Sequence, residues 1–299
     1  METAFLGAVK ALRGIRCDSD YPAARLTTFR IGGNIRYVVY PESTDTLCDL
    51  LRILMSVPVP FRVIGCGSNI LASDEGYPGA WVMTRHCRNI RFCGTRIEAD
   101  AGVALHTLID RAAEQGLGGL ENLYGIPGSL GGAGVMNEGA YGVSVADAVT
   151  AVLAWDLWRG KTVSLPFDAC AFGYRTSLFQ GGRYVILSVS LRLTPSREDM
   201  IRATMHSLTV RRATSQPLDL PSAGSAFRRP VGAFAAKLIE EAGLRGYSIG
   251  GARVSDKHCG FLVNTGNATA RDVRQLITLI QDRVHRQSGI YLIPEIVME

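Results

Sequence analysis

The stretch Tyr124–Gly142, YGIPGSLGGAGVMNEGAYG, constrains the fold more than any other part of the chain. Seven of the eighteen residues from Gly125 to Gly142 are glycine. Glycine loses more backbone freedom on folding than any other residue, so a run this dense belongs where the backbone takes positive φ or approaches something closely. Successive N–H groups in such a loop can point into one concavity that suits an anion such as a pyrophosphate. A flexible linker is the competing reading. Against it, the stretch is no Ser/Gly repeat, and Ile126, Pro127, Leu130, Val135, Met136 and Tyr141 are interleaved as packing residues. GxxxxGK[ST] is absent, Gly128–Gly134 is not a clean GxGxxG, and no plain Val/Ile strand leads in. The loop therefore points to a phosphate-bearing ligand and away from a dinucleotide-binding βαβ unit.

The 299 residues are 47% hydrophobic and 20% charged, a globular composition with room for two or three domains. The net charge of +5 comes without any Lys/Arg block of five. Arg211-Arg212 and Arg228-Arg229 are short clusters, and no basic stripe is interleaved with aromatics. This favours anionic small molecules over nucleic acid. Seven cysteines (Cys17, Cys48, Cys66, Cys87, Cys93, Cys170, Cys259) are irregularly spaced without CxxC, which reads as free thiols in a reducing compartment. The five histidines show no HxxxH or HExxH spacing, so no metal site is expected. The N-terminus is too short and charged for a signal peptide, and no 18-residue apolar run exists. A cytoplasmic protein without membrane insertion or an obligate protein partner, as a monomer, is the expectation.

Hydrophobic spacing predicts a helix over Glu2–Ile15, a turn at Thr27–Gly33 and a strand Arg36–Tyr40. Ser43 caps a predicted helix carrying Leu47, Leu50, Leu51 and Leu54. The strand Phe61–Ile64 leads into Gly65-Cys66-Gly67-Ser68-Asn69-Ile70-Leu71, which is either a ligand loop or an ordinary Ser/Asn turn. Short strands are predicted at 80–84, 89–93 and 96–99, then a helix Leu105–Gln115 closed by Gly116. After the glycine run come strands Val149–Leu157, Lys161–Leu165 and Tyr184–Leu193. A boundary near Ser196 precedes a helix to about Thr214. The last third predicts helices Ala233–Gly243 and Ala270–Arg286, strands Ile249–Val254 and Phe261–Asn264, and a final strand Tyr291–Val297 holding Glu295. The class is α+β, a flavin- or nucleotide-binding body with a smaller lid.

The motifs TTFRIGG (27–33), GCGSNIL (65–71), GIPGSLGGA (125–133), NEGAYG (137–142), FGYRTSLF (172–179), PSAGSAFRRP (221–230), GGARVSDKHCGFLVNTGNATA (250–270) and PEI (294–296) occur in that order. Together they resemble the UDP-N-acetylenolpyruvoylglucosamine reductase family, in its shorter form that lacks a tyrosine-bearing loop. Each motif alone is weak; eight in order, over residues 25–299, are specific. The resemblance implies a vanillyl-alcohol-oxidase/PCMH-type FAD-binding fold of two subdomains, 1–60 and 61–195. It further implies a C-terminal α+β substrate-binding domain, 196–299, whose last strand returns Glu295 to the active site. It implies non-covalent FAD contacted by Arg30, Gly65, Gly67, Ser68, Asn69, Ile70, Gly125, Ile126, Pro127, Gly128, Ser129, Gly132 and Ala133. NADPH is the implied co-substrate and UDP-N-acetylglucosamine enolpyruvate the implied substrate, in cell-wall peptidoglycan precursor synthesis. Arg175, Ser225 and Glu295 match the catalytic arginine, proton donor and carboxylate. Arg228, Lys237, Lys257 and His258 are candidates for the UDP part, with a solvated-face reading beside it for the last three.

These residue types suit that chemistry. Hydride addition to C3 of an enolpyruvyl ether builds negative charge at C2 and its carboxylate, which the planar fork of an arginine matches. A carboxylic acid held neutral can hydrogen-bond the same charge, and a serine with help from neighbours can protonate C2. Two departures from the family pattern stand out. Glu138 occupies a place where a small residue is expected, and Arg228 one where lysine is usual. Two competing functions remain at this stage, an O2-reoxidised sugar or alcohol oxidase of the same fold and a flavin- or nucleotide-sugar-binding regulator without turnover.

Overall fold

The computed structural model describes residues 2–299. It divides into two compact units built from interleaved segments: Met1–Ser19, Tyr37–Cys66 and Gly79–Val210 in the first, and Asp20–Arg36, Gly67–Pro78 and Arg211–Glu299 in the second.

The first unit carries helices α1 (Glu2–Ala11), α2 (Thr44–Ser56), α3 (Leu105–Glu114) and α4 (Leu130–Met136), and the start of α5 (Glu198–Ser215). α2 starts where expected, with the Ser43 hydroxyl accepting from the Thr46 amide at 3.1 Å. Its Leu47, Leu50, Leu51 and Leu54 are buried on one stripe; each contributes about 1.5–3 kcal/mol on leaving water. The predicted Glu2–Ile15 helix is shorter. α1 ends at Ala11, the chain turns at Gly14, and Ile15–Pro22 continues as a strand instead. That strand opens a sheet of order Ile15–Pro22, Asn34–Pro41, Tyr77–Met83, Phe61–Ile64, whose last pair is parallel.

A five-stranded antiparallel sheet orders Lys161–Pro166, Val149–Asp156, Tyr184–Arg192, Arg96–Asp100 and Ile90–Cys93. Successive side chains on a strand point to opposite faces, so Val152 and Ala154 enter one core with Leu108, Ile109 and Leu130. Trp155 enters a second core with Leu47, Leu51 and Leu187. The sheet is therefore covered on both faces.

The second unit pairs Ser222–Ser225, Phe261–Asn264, Ala252–Val254 and Ser248–Ile249 in one antiparallel sheet. Helices α6 (Ala235–Glu241) and α7 (Ala270–Ser288) contribute Ile239, Val273, Leu276, Ile277 and Ile280 to its core. α7 starts on a capping box between Thr269 and Asp272, and those bonds hold the Asp272 carboxyl below its ordinary pKa. The predicted strand Ile249–Val254 is in fact a hairpin that turns at Gly250-Gly251, setting Ile249 opposite Ala252. The predicted strand Tyr291–Val297 is largely irregular. Pro294 has no N–H to give a ladder, so it makes an isolated bridge to Phe227. Only Val297–Met298 pairs as a strand, parallel to Ile70–Leu71. Glu295 thus sits on an irregular segment.

Among the described residues no helix is long and apolar enough to cross a membrane. No group of three or more His, Cys, Asp or Glu side chains among them could hold a metal.

Candidate active site

The glycine run is a loop that closes into a helix. The Ser129 side chain caps α4, accepting from the Gly132 amide at 3.2 Å. The chain here lies very close to the 65–66 turn of the same unit. A Cβ on Gly65 would stand 2.2 Å from Ser129 Oγ, so a larger residue there must push the capping hydroxyl aside. Gly65, Ser129 and Gly132 therefore meet. The N–H groups of Leu130, Gly131 and Ala133 bond the carbonyls of Val103, Ala101 and Ser129, and Gly132 bonds the Ser129 hydroxyl. Gly125, Ile126, Pro127 and Gly128 precede the cap, and the Gly128 carbonyl accepts from the Leu105 amide at 2.9 Å.

The C-terminal end of α4 builds the Arg175 site. Asn137 takes the left-handed conformation (φ 44°) that ends the helix. Its amide nitrogen donates to the Gly173 carbonyl at 2.9 Å, and its oxygen accepts from the Ala146 amide at 3.1 Å. Gly173 and Thr176 exchange backbone bonds at 3.0 and 3.2 Å, closing a tight turn with Tyr174 and Arg175 at its tip. Arg175 has φ 53°, a conformation that turns of this kind normally give to Gly or Asn. Strain of this sort persists where surrounding structure over-determines it. Here Gln180 Nε2 donates to the Arg175 carbonyl at 3.0 Å, and Ser177 Oγ donates to the Val135 carbonyl at 2.7 Å. The guanidinium turns back over α4's end. Nη2 lies 2.7 Å from the Gly139 carbonyl and 3.0 Å from Glu138 Oε1. Sequence reasoning singled out Glu138 as an oddity without finding this partner.

In the second unit, the TTFRIGG turn, residues 67–71 of the GCGSNIL loop and the PEI segment come together. The Thr28 amide donates to the Gly67 carbonyl at 3.1 Å. Gly67 has φ +64°, and a Cβ there would lie 2.3 Å from the Leu26 carbonyl oxygen. Asn264 Nδ2 donates to the carbonyls of Phe29 and Arg30 at 3.2 and 3.3 Å; Arg30 itself is left-handed, with φ 55°. Thr27 Oγ1 is buried with no hydrogen-bond partner among the described residues. A buried polar group in that state is costly unless a ligand completes it, which makes Thr27 a candidate contact that the sequence reading did not name.

Asn69 Nδ2 donates to the Glu295 carbonyl at 3.1 Å, and the Val297 amide donates to the Asn69 carbonyl at 3.0 Å. The Glu295 amide donates to the Ala226 carbonyl at 2.9 Å, which makes Glu295 the backbone neighbour of the Ser225-Ala226 step. Ser225 is exposed at the end of its strand, opposite Phe261, and Glu295 is half-buried. Arg228 is anchored by its amide on the Ile293 carbonyl at 2.9 Å, and its Nε is buried without a hydrogen-bond partner among the described residues. Ser68 and Ile70 lie on the same loop, Ile70 in the short parallel ladder.

The remaining UDP candidates are less convergent. Lys237 is exposed on α6 and pairs with Glu241 at 3.6 Å. Lys257 is exposed, with Nζ donating to the Ala213 carbonyl at 2.5 Å. His258 accepts the Gly260 amide on Nδ1 at 3.1 Å, and burial holds its pKa below the ordinary value. It is a hydrogen-bonding ring more than a cation at neutral pH.

Comparison with known proteins gives one consistent result. Residues 216–298 match the C-terminal domain of UDP-N-acetylenolpyruvoylglucosamine reductase. Residues 35–166 match an FAD-binding domain. Curated relatives called UDP-N-acetylenolpyruvoylglucosamine reductase include one from Caldanaerobacter subterraneus, 44% identical over 92% of this chain and 91% of its own. Another, from Clostridioides difficile, is 40% identical over 93% of this chain and 91% of its own. The crystal structure of UDP-N-acetylenolpyruvylglucosamine reductase from Thermus caldophilus is 32% identical. It superposes with a TM-score of 0.80 over 95% of this chain and 98% of that one.

Proposed function

Because the chain belongs to the UDP-N-acetylenolpyruvoylglucosamine reductase family, we propose that it reduces the enolpyruvyl ether of UDP-N-acetylglucosamine enolpyruvate to UDP-N-acetylmuramate, with NADPH as electron donor. The chain has the α+β, FAD-binding architecture expected from its motifs. When bound, the flavin supplies the hydride that NADPH has delivered to it and that C3 of the enolpyruvyl group accepts. In the first unit Gly65, Gly125–Gly128, Ser129, Gly132 and Ala133 are the residues assigned to hold FAD. In the second unit they are Arg30, Gly67, Ser68, Asn69 and Ile70. The close approach of Gly65 to Ser129 and the unpartnered Thr27 hydroxyl fit such a group. Burial raises the Cys66 thiol pKa within the 65–71 loop, so that thiol stays protonated, in keeping with non-covalent binding.

The observation that carries the reading is the held arginine. A cation placed on a strained turn by several backbone contacts is preorganised, and preorganised charge stabilises charge that develops in a transition state. Arg175 is assigned to the enolpyruvyl carboxylate. Ser225 delivers the proton to C2, and Glu295, whose backbone is tied to Asn69 and Ala226, stabilises the same developing charge from its carboxyl group. Arg228, Lys237, Lys257 and His258 are assigned to the UDP moiety, Arg228 best supported through its unpartnered Nε.

Half-reaction kinetics test these roles. Ser225→Ala and Glu295→Gln are expected to keep FAD and its reduction by NADPH while slowing reoxidation by the enolpyruvyl substrate by about 10²–10⁴-fold, the range of general acid–base catalysis. Equal losses in both half-reactions would refute the assignment.

A further inference from the structure

We propose that Glu138 is a positioning residue for Arg175, a hydrogen-bonding clamp that fixes the guanidinium where it meets the substrate carboxylate. The proposal rests on the assignment of Arg175 above. Glu138 Oε1 lies 3.0 Å from Arg175 Nη2. The same oxygen accepts the Gly139 amide at 3.1 Å, which sets the rotamer of the carboxylate itself. The backbone of Glu138 is held at both ends, its amide by the Ala133 carbonyl at 2.8 Å and its carbonyl by the Val145 amide at 2.9 Å. The Gly139 carbonyl takes a second bond from Nη2 at 2.7 Å, and the Asn137 carbonyl stands 3.5 Å from Nη1. Three consecutive residues, Asn137, Glu138 and Gly139, thus surround one end of the guanidinium.

The pair is substantially covered. The Arg175 side chain is 15% exposed and that of Glu138 22%. A fully exposed pair would contribute little and be screened by salt; a covered one with an additional backbone donor keeps its geometry. An arginine side chain carries about 2 kcal/mol of rotamer entropy, and its backbone here is fixed at φ 53°. Without Glu138, the turn still delivers the side chain to the right region, yet the guanidinium loses the carboxylate that holds Nη2 at 3.0 Å. Small displacements of a positioning group cost up to about a hundredfold in rate. The glutamate therefore acts through the arginine and not on the substrate.

The test is a double-mutant cycle read in the anaerobic half-reactions, with Glu138→Ala, Glu138→Gln, Arg175→Lys and Glu138→Ala/Arg175→Lys. Glu138→Ala is expected to slow substrate-driven flavin reoxidation about 10- to 100-fold, with flavin content and NADPH-driven reduction unchanged. Glu138→Gln, whose amide oxygen accepts the same two bonds, is expected to restore most of the rate. In the Arg175→Lys background, Glu138→Ala is expected to cost nothing further. The proposal is overturned if Glu138→Ala is neutral or faster, if it loses flavin, if Glu138→Gln is as slow as Glu138→Ala, or if the two losses multiply. Arg175→Lys separates the two levels: a neutral Arg175→Lys would sink the catalytic assignment itself, whereas a slow Arg175→Lys beside a neutral Glu138→Ala would sink only the clamp.

Discussion

Asn137 joins the end of α4 to the turn that carries Arg175, and its replacement should be felt in both stability and catalysis. Its side chain makes two bonds, to the Gly173 carbonyl at 2.9 Å and from the buried Ala146 amide at 3.1 Å. Asn137→Gly keeps the left-handed backbone and removes both. The lost bond to Gly173 costs about 1 kcal/mol, and leaving the buried Ala146 amide orphaned costs about 1–3 kcal/mol, so the expected loss is about 2–4 kcal/mol. Asn137→Ala removes the same bonds and adds the left-handed penalty of a Cβ, about 1–2 kcal/mol. Asn137→Asp keeps the acceptor for Ala146 and turns a carboxylate oxygen toward the Gly173 carbonyl, so it should lose at least one bond. The assay is urea unfolding followed by tryptophan fluorescence. Trp81, Trp155 and Trp158 all belong to the first unit, so the signal reports on the unit that Asn137 braces. Substrate-driven reoxidation should slow in the same order. An Asn137→Gly variant within 0.5 kcal/mol of the native protein, the usual span of a neutral surface change, would refute the bracing argument. So would an Asn137→Ala variant no worse than Asn137→Gly.

Other expectations follow from single contacts. Gly65→Ala puts a methyl group 2.2 Å from Ser129 Oγ; displacing that cap costs about 1 kcal/mol and overpacking about 1–3 kcal/mol, so the purified variant should lose most of its 450 nm absorbance, and full flavin content would count against the cradle. Thr27→Val removes the unpartnered buried hydroxyl; the flavin-free protein should be as stable or more so while FAD binds more weakly, and unchanged FAD affinity would remove Thr27 from the site. Asp156 is chelated by Arg183 at 2.7 and 3.1 Å, and that bond, with the Trp158 amide, holds its pKa at about 2. The folded value lies below the unfolded one of about 3.9, so the stabilisation from this carboxylate is complete above that value and drains as pH falls toward 2. Asp156→Asn should flatten the acid limb of a stability–pH profile, and an unchanged limb would refute the pairing.

How much of this was legible in the sequence depends on the range of the interactions involved. Local signals held. Ser43 caps the helix it precedes, because capping is a contact over three residues. The leucine stripe of α2 and the apolar stripe of α7 were visible as helical periodicity. The helix α4 was hidden in the glycine run, since glycine is a poor helix former and only the Ser129 cap and tertiary packing hold it. The irregular path through Glu295 was masked by an apolar run that Pro294 interrupts.

The candidate site divides along the same line. Motifs named its residues, but their partners are distant in sequence. Asn69 holds Glu295 across 226 positions, and Arg175 meets Gly139 across 36. The same long separations account for the interleaved units, since Thr28 bonds Ser222 across 194 positions and Asn264 bonds Phe29 across 235. No periodicity encodes such pairs. Glu138 could be flagged as a charge out of place, while its meaning came only with the arginine beside it.

The central claim is that bound flavin is reduced by NADPH and reoxidised by the enolpyruvyl substrate. The most direct measurement is anaerobic absorbance of the FAD-reconstituted protein near 450 nm, first with NADPH and then with UDP-N-acetylglucosamine enolpyruvate. Bleaching by NADPH followed by stoichiometric recovery on adding the substrate, with UDP-N-acetylmuramate formed, is the expected result. Bleached flavin that recovers only when air is admitted would contradict the account and mark an oxidase, and a protein that takes up no flavin would contradict it at its base.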